Sequence, residues 1–191
     1  MSDEKITDRV LEGGEYERAK VTVRQTFSIP IRTKILGAVG GLLATVPLGP
    51  AVVLRKDLIE SYEGILTFEL ILGQLALLGV VTVFLSGLLL VWQHYLLVAD
   101  SITADRARKL VRTEDLLMWF VLLGSVFGLI ATVLALVPLV YSGAVDSLYG
   151  AGVRVYRPTN ALGIDVRLVS ALGAVLSTVL FVLLAWVESR S

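Results

Sequence analysis

Cysteine is absent from this chain of 191 residues, and histidine occurs once. The first absence removes disulfides, thiolate metal sites, iron–sulfur ligation and cysteine nucleophiles. The second means that a haem held by two histidines would need a symmetry mate. Lipid anchors are equally unsupported: Met1-Ser2 lacks the glycine that myristoylation requires, and the tail from Glu188 to Ser191 has no cysteine to prenylate. The first 34 residues are polar and charged where a secretory signal would carry an early apolar core, so insertion is expected to come from the first span. Net charge is also lacking, with 17 basic against 17 acidic residues, and its value of zero carries no message by itself.

The most informative lack is local. Lys, Arg, Asp and Glu are missing from residues 35–54, 70–98, 116–141 and 168–187. A helix needs roughly 20 apolar residues to cross a bilayer core, and all four stretches meet that length. The mean hydropathy is +0.79. The expected fold is an all-α integral membrane protein with four transmembrane helices.

The basic residues set an orientation. Lys5, Arg9, Arg18, Lys20, Arg24, Arg32 and Lys34 precede span one, Arg106, Arg108, Lys109 and Arg112 lie between spans two and three, and Arg190 follows span four. Arg55, Lys56, Arg154, Arg157 and Arg167 fall on the other side. The positive-inside rule then places both termini in the cytoplasm. Trp92, Trp119 and Trp186 all fall at the cytoplasmic ends, where amphipathic rings prefer the headgroup level, while Tyr62, Tyr141, Tyr149 and Tyr156 lie on or near the outer side.

A segment recurs. Residues 36–46, LGAVGGLLATV, return as residues 123–133, LGSVFGLIATV, with eight identities in eleven positions. Weaker matches join spans two and four: Leu78-Gly79 with Leu172-Gly173, Val81 with Val175, and Leu90-x-Trp92 with Leu184-x-Trp186. The reading is a duplicated two-helix hairpin, a parallel 2+2 repeat related by an axis along the membrane normal. It divides the chain into a basic arm at 1–34, a first hairpin at 35–98, a cytoplasmic loop at 99–115, a second hairpin at 116–187 with an outer loop at 142–167, and a tail at 188–191.

Small residues suggest where helices meet. Gly37-xxx-Gly41, Gly124-xxx-Gly128 and Gly173-xxx-Ser177 each remove side chains at i and i+4, which lets two backbones approach in lipid. Spans one and three are expected to form the central contact, with Ala76, Gly79 and Ser86 giving span two a small-residue face of its own. Pro47, Pro50 and Pro138 predict kinks near the outer ends of spans one and three, with an outward vestibule between the two as the sharper reading. Thr45, Thr82, Ser125, Thr132, Ser177 and Thr178 can bond back to their own helix carbonyls. Ionisable residues inside the spans would be functional by default, and the candidates are few. Glu69 lies at the outer start of span two, Gln74 lies deeper and is neutral, and His94 lies at the inner end beside Trp92, Gln93 and Tyr95.

Outside the spans, residues 19–31 alternate. Ala19, Val21, Val23, Phe27, Ile29 and Ile31 share one parity, which predicts a half-buried strand. A lone strand needs a partner chain, a second copy or a membrane surface, making this arm the best partner-binding candidate. Residues 3–11 suggest a short helix. Residues 104–112 read as helix with Asp100 or Ser101 as N-cap, and Gly150–Gly152 as a turn into a short strand.

No segment carries a catalytic motif, a cofactor site or a metal site. The function expected is a non-catalytic subunit or scaffold that self-associates or joins a larger membrane complex in the cell membrane, with no identified small-molecule substrate and no nucleic acid. A small oligomeric channel or transporter is the alternative, and a haem-binding or other redox subunit using His94 comes third.

Overall fold

Pro30 sets the start of the first span. Its fixed φ and missing N–H suit the helix boundary, and it is the N-cap of the helix that follows. In a computed structural model, which describes residues 14–54, 56, 70–99, 103–141, 143–154, 157 and 163–190, the fold is all-α. Four helical spans, Ile31–Leu54, Ile71–Val98, Ala104–Val140 and Val166–Glu188, are long and apolar enough to cross a bilayer. The chain is a multi-pass membrane protein of four spans.

The elements are α1 (Glu15–Thr22), α2 (Ile31–Leu43), α3 (Leu48–Leu54), α4 (Ile71–Ala99), α5 (Ala104–Val140), α6 (Ala144–Gly150) and α7 (Val166–Glu188). Span one is thus two helices, α2 and α3. α4 and α5 make the most extensive pairing, and α2 packs on α4, α5 and α7. The core between them is aliphatic: Ile35, Ala38 and Leu42 from α2, Ala76, Val80 and Val83 from α4, Val121 and Ala131 from α5, and Leu180 and Leu184 from α7.

α5 has 37 residues, a length of about 55 Å against a hydrocarbon core of about 30 Å. Its first three turns therefore project beyond the lipid, as the helical continuation read from residues 104–112 implies. Its N-cap is Thr103; Asp100 and Ser101, the expected caps, lie outside the described residues. Pro138 is buried inside α5 and does not interrupt it. α7 begins at Asp165, whose carboxylate accepts the backbone N–H of Arg167 at 2.7 Å and pairs with its guanidinium at 2.6 Å. The Arg167 side chain is the main reason that this carboxyl sits below the usual range. After α6 the chain turns through Gly152 at φ +80°, a left-handed conformation that favours glycine. Val155 and Tyr156 of the expected short strand lie outside the described residues, as do residues 3–11, Tyr62 and Glu69.

The strand expected at residues 19–31 is not formed. α1 occupies Glu15–Thr22, and the chain then runs irregularly to Pro30. The physical reason lies just upstream of the alternation. Glu15–Arg18 and Glu17–Lys20 are i,i+3 ion pairs, and Tyr16, Ala19 and Val23 recur at helical spacing. That face packs on Ala107 and Val111 of α5. Val21, which a half-buried strand would hide, is 55% exposed. The arm finds its apolar partner inside the same chain.

Candidate functional site

Span one breaks where Pro47 would otherwise remove a helical donor. α2 ends at Leu43, residues 44–47 form turns, and α3 restarts at Leu48. In lipid, each carbonyl freed by such a break must find a donor within the protein. Leu42 O accepts Thr45 N at 3.1 Å and Thr45 Oγ1 at 2.7 Å; Leu43 O accepts Val46 N. Ala44 O accepts Thr132 Oγ1 from α5 at 2.9 Å, and Val46 O accepts Ser170 Oγ from α7 at 2.5 Å. Thr45 O and Pro47 O accept Leu48 N and Ala51 N. Two of the six carbonyls therefore depend on other spans. Ser177 and Thr178 bond back to Ala174 O on their own helix as expected, whereas Thr132 and Ser170 reach across.

The glycines make room for this break. A Cβ on Gly128 would lie 2.5 Å from Thr45 Cγ2, and one on Gly173 would overlap Thr45 Oγ1 and lie 3.0 Å from Leu42 O. Gly41 faces Ser125 in the same way. Gly124 instead faces span two: its Cβ would lie 2.9 Å from Gly79 O, and one on Gly79 would lie 2.5 Å from Gly124 O. The tightest backbone approach thus joins spans two and three, not one and three, because Gly79 gives span two a notch opposite Gly124. Gly37 meets only Met118 at 3.6 Å, and Gly40 meets nothing within 4 Å. Ser177 is buried on α7, and Ala76 and Ser86 are buried on α4. A groove of 350 Å³ lies between α3 and α7, edged by Gly49, Pro50, Arg167 and Ser170. Pro138 is buried within the continuous helix α5.

At the opposite end of span one lies a charge pair of which the sequence reading named only Lys34, as a topology signal. Lys34 Nζ is 2.7 Å from Glu114 Oε1, with the side chains 0% and 1% exposed. The second carboxylate oxygen of Glu114 accepts the Tyr16 hydroxyl of α1 at 2.5 Å. Desolvation, then this hydrogen bond, pushes the Tyr16 phenol well above its ordinary range, so it stays a donor at physiological pH. Next to Glu114, Asp115 accepts the backbone N–H groups of Thr26 and Phe27 at 3.1 and 2.9 Å. Phe27 then sets its ring edge against Trp119 at 5.4 Å. Two consecutive acidic residues of α5 therefore hold the described part of the arm: one takes Lys34 and Tyr16, the other the backbone between them. A signal for the buried pair was present in helical phase. Glu114 shares a face with Ala107, Val111, Leu117 and Val121, and Lys34 with Ala38 and Leu42, all of them buried.

The two polar candidates stand apart. Gln74 is half-buried near the start of α4 and has a partner. His94 is half-buried near the other end of α4, within electrostatic reach of Glu188, Arg32 and Glu114. Arg32 pairs with Glu188 at 2.8 Å, tying the start of α2 to the end of α7. Beside them Trp92, Tyr95 and Trp186 form a chain of rings with successive centroids 5.9 Å apart. All three tryptophans thus lie at one end of the bundle, together with the docked arm. No three His, Asp or Glu side chains gather in a metal-binding group among the described residues.

No protein-family model, no curated protein and no solved structure matches this chain.

Proposed function

We propose that this chain is a non-catalytic membrane subunit or scaffold, acting by packing against copies of itself or a larger membrane assembly, with both termini cytoplasmic. The observation that carries the reading is an unused small-residue face. Gly37 and Gly40 lie exposed on α2, with open space or ordinary contact where a side chain would project. Glycine inside a helix costs about 0.8–1.0 kcal/mol relative to alanine. Gly79, Gly124, Gly128 and Gly173 recover that cost by close packing within the bundle; Gly37 and Gly40 would recover it against a second helix. Lys34 is meanwhile engaged with Glu114, and Thr132 and Ser170 with the broken span.

Native mass spectrometry of the full chain in lipid nanodiscs tests this. The expected result is a dimer, a higher oligomer or a defined co-purifying membrane protein, with self-association weakened by Gly40→Leu. A monomer that travels alone overturns the reading. Tags on both ends should label from the same, cytoplasmic face of vesicles, and opposite faces would remove the four-span topology. The duplicated 2+2 hairpin belongs to the same proposal and rests on the repeated segment.

The channel or transporter reading draws on the interrupted span, because discontinuous helices coordinate ions and substrates in many carriers. Here the freed carbonyls are taken by Thr132, Ser170 and neighbouring backbone N–H groups, which favours the packing reading. Ion flux through liposomes containing the pure protein would reverse that preference.

A further inference from the structure

A groove of 660 Å³ runs between the last turns of α4 and α7, lined by Leu88, Leu89, Trp92, Tyr95, Leu183 and Trp186 among others. Tyr95 and Trp186 of its lining form a stacked pair, at 21° between rings, that bridges the two helices. It spans residues 88–95 of α4, about two helical turns or roughly 10 Å. A transmembrane helix of a partner would need a track close to 30 Å long. The first part of an acyl chain, entering from the headgroup layer, matches the shorter length.

The rim of the groove carries the matching charge. Arg190, just past the end of α7, stacks its guanidinium over Trp186 at 3.9 Å. Stacking on a ring leaves the in-plane N–H donors of arginine turned outward, in the fork that suits a phosphate. Glu188, two residues before it, is ion-paired with Arg32 at 2.8 Å, a pair that is neutral as a whole. Aromatic rings at headgroup depth, an apolar slot below them and an outward-facing cation above form the outline of a phospholipid.

From this juxtaposition we propose a lipid site: one acyl chain of an anionic phospholipid lies in the groove between α4 and α7, and its phosphate is bound by Arg190. The site is separate from the Gly37–Gly40 face on α2 and does not depend on the assembly proposed above.

Intrinsic fluorescence in proteoliposomes tests it. Trp119→Phe leaves Trp92 and Trp186, two of the three indoles in the chain, as reporters. Phosphatidylglycerol with brominated chains should quench them at lower mole fraction than brominated phosphatidylcholine, by about fivefold in apparent affinity, the effect of one cation near an anionic surface. Arg190→Gln, at an exposed position, should bring the two curves together. Arg106→Gln, exposed at the far end of α5, should leave them apart. Identical curves for the two lipids in the parent protein overturn the proposal. So does a loss with Arg106→Gln equal to that with Arg190→Gln, which would mean a diffuse surface potential. Protection from both lipids, with disulfide dimers forming from Leu89→Cys, would assign the groove to a second copy and overturn the lipid site as well.

Discussion

Residues 36–46 and 123–133 are nearly the same peptide, yet the first breaks and the second does not. α2 stops at Leu43, eight residues into its copy, whereas α5 runs through the whole of the other to Val140. The difference lies one residue beyond the match, where Pro47 stands opposite Leu134. The two copies also bury different faces. Leu42 is fully buried while its counterpart Leu129 is 51% exposed. Gly37 is exposed while Gly124 is buried against Gly79. The threonines share burial but not bonding: Thr45 and Thr132 are both buried, but Thr45 bonds within its own broken turn, and Thr132 reaches over to hold that turn in place. One copy thus supplies the interruption and the other the brace. A repeated sequence does not dictate a repeated environment when the flanking residue and the neighbouring helix differ.

The comparison extends two residues before the match, where Lys34 stands opposite Val121 and both are buried. Lys34→Val would make the first copy resemble the second while stranding Glu114 without its cation. Removing one partner of a buried ion pair costs about 3–5 kcal/mol, so this should be the largest effect, read as lower thermal stability in nanodiscs. Adding Glu114→Leu should recover part of the loss, because a pair replaced by apolar side chains is close to neutral, the remainder being the Tyr16 hydroxyl left without its acceptor. Stability unchanged by Lys34→Val alone would mean that the pair is open to water.

The glycines sharpen the contrast at matched positions. Gly124→Ala puts a methyl 2.8 Å from Val83 and 2.9 Å from a backbone oxygen, Gly79 O. Overpacking of this kind costs about 1–3 kcal/mol. Gly37→Ala meets only Met118 at 3.6 Å, and should leave monomer stability unchanged or raise it by about 0.4–1 kcal/mol through the unfolded chain. Denaturation of both variants in the same detergent gives opposite signs if the two faces differ as described, and equal losses if they do not.

Much of this architecture was legible in the sequence, and the reasons for the remainder are specific. Charge-free length marked the four spans, because a bilayer imposes its thickness on composition. The proline pair at 47 and 50 marked the interruption. The arm misled because alternation from Ala19 to Ile31 is a pattern of side chains, while the partner that decides the matter, α5, lies some 90 residues away. Lys34 and Glu114 were invisible as a pair for a related reason. Each sits just outside an apolar stretch, where a charge ordinarily reports topology, whereas in the fold the two side chains are buried against each other. Small residues announced close contacts without saying which helices would share them. Gly128 and Gly173 open onto Thr45, a site that exists only because span one is broken.

The smallest effect separates the two threonines. Thr132→Val keeps the shape of the side chain and removes the donor that α5 supplies to Ala44 O. A buried acceptor left without a partner costs about 1–3 kcal/mol. Thr45→Val removes a bond as short, 2.7 Å against 2.9 Å, but Leu42 O keeps the backbone N–H of residue 45 at 3.1 Å. Its loss should stay near the net worth of one hydrogen bond, about 0.5–1.5 kcal/mol. Hydrogen exchange then distinguishes a brace from a local bond. Thr132→Val should speed exchange at Leu48 and Ala51, the first amides donated across the break, whereas Thr45→Val should leave them protected. Equal exchange in the two variants would mean that Pro47 alone holds the interruption and that the second copy does not support the first.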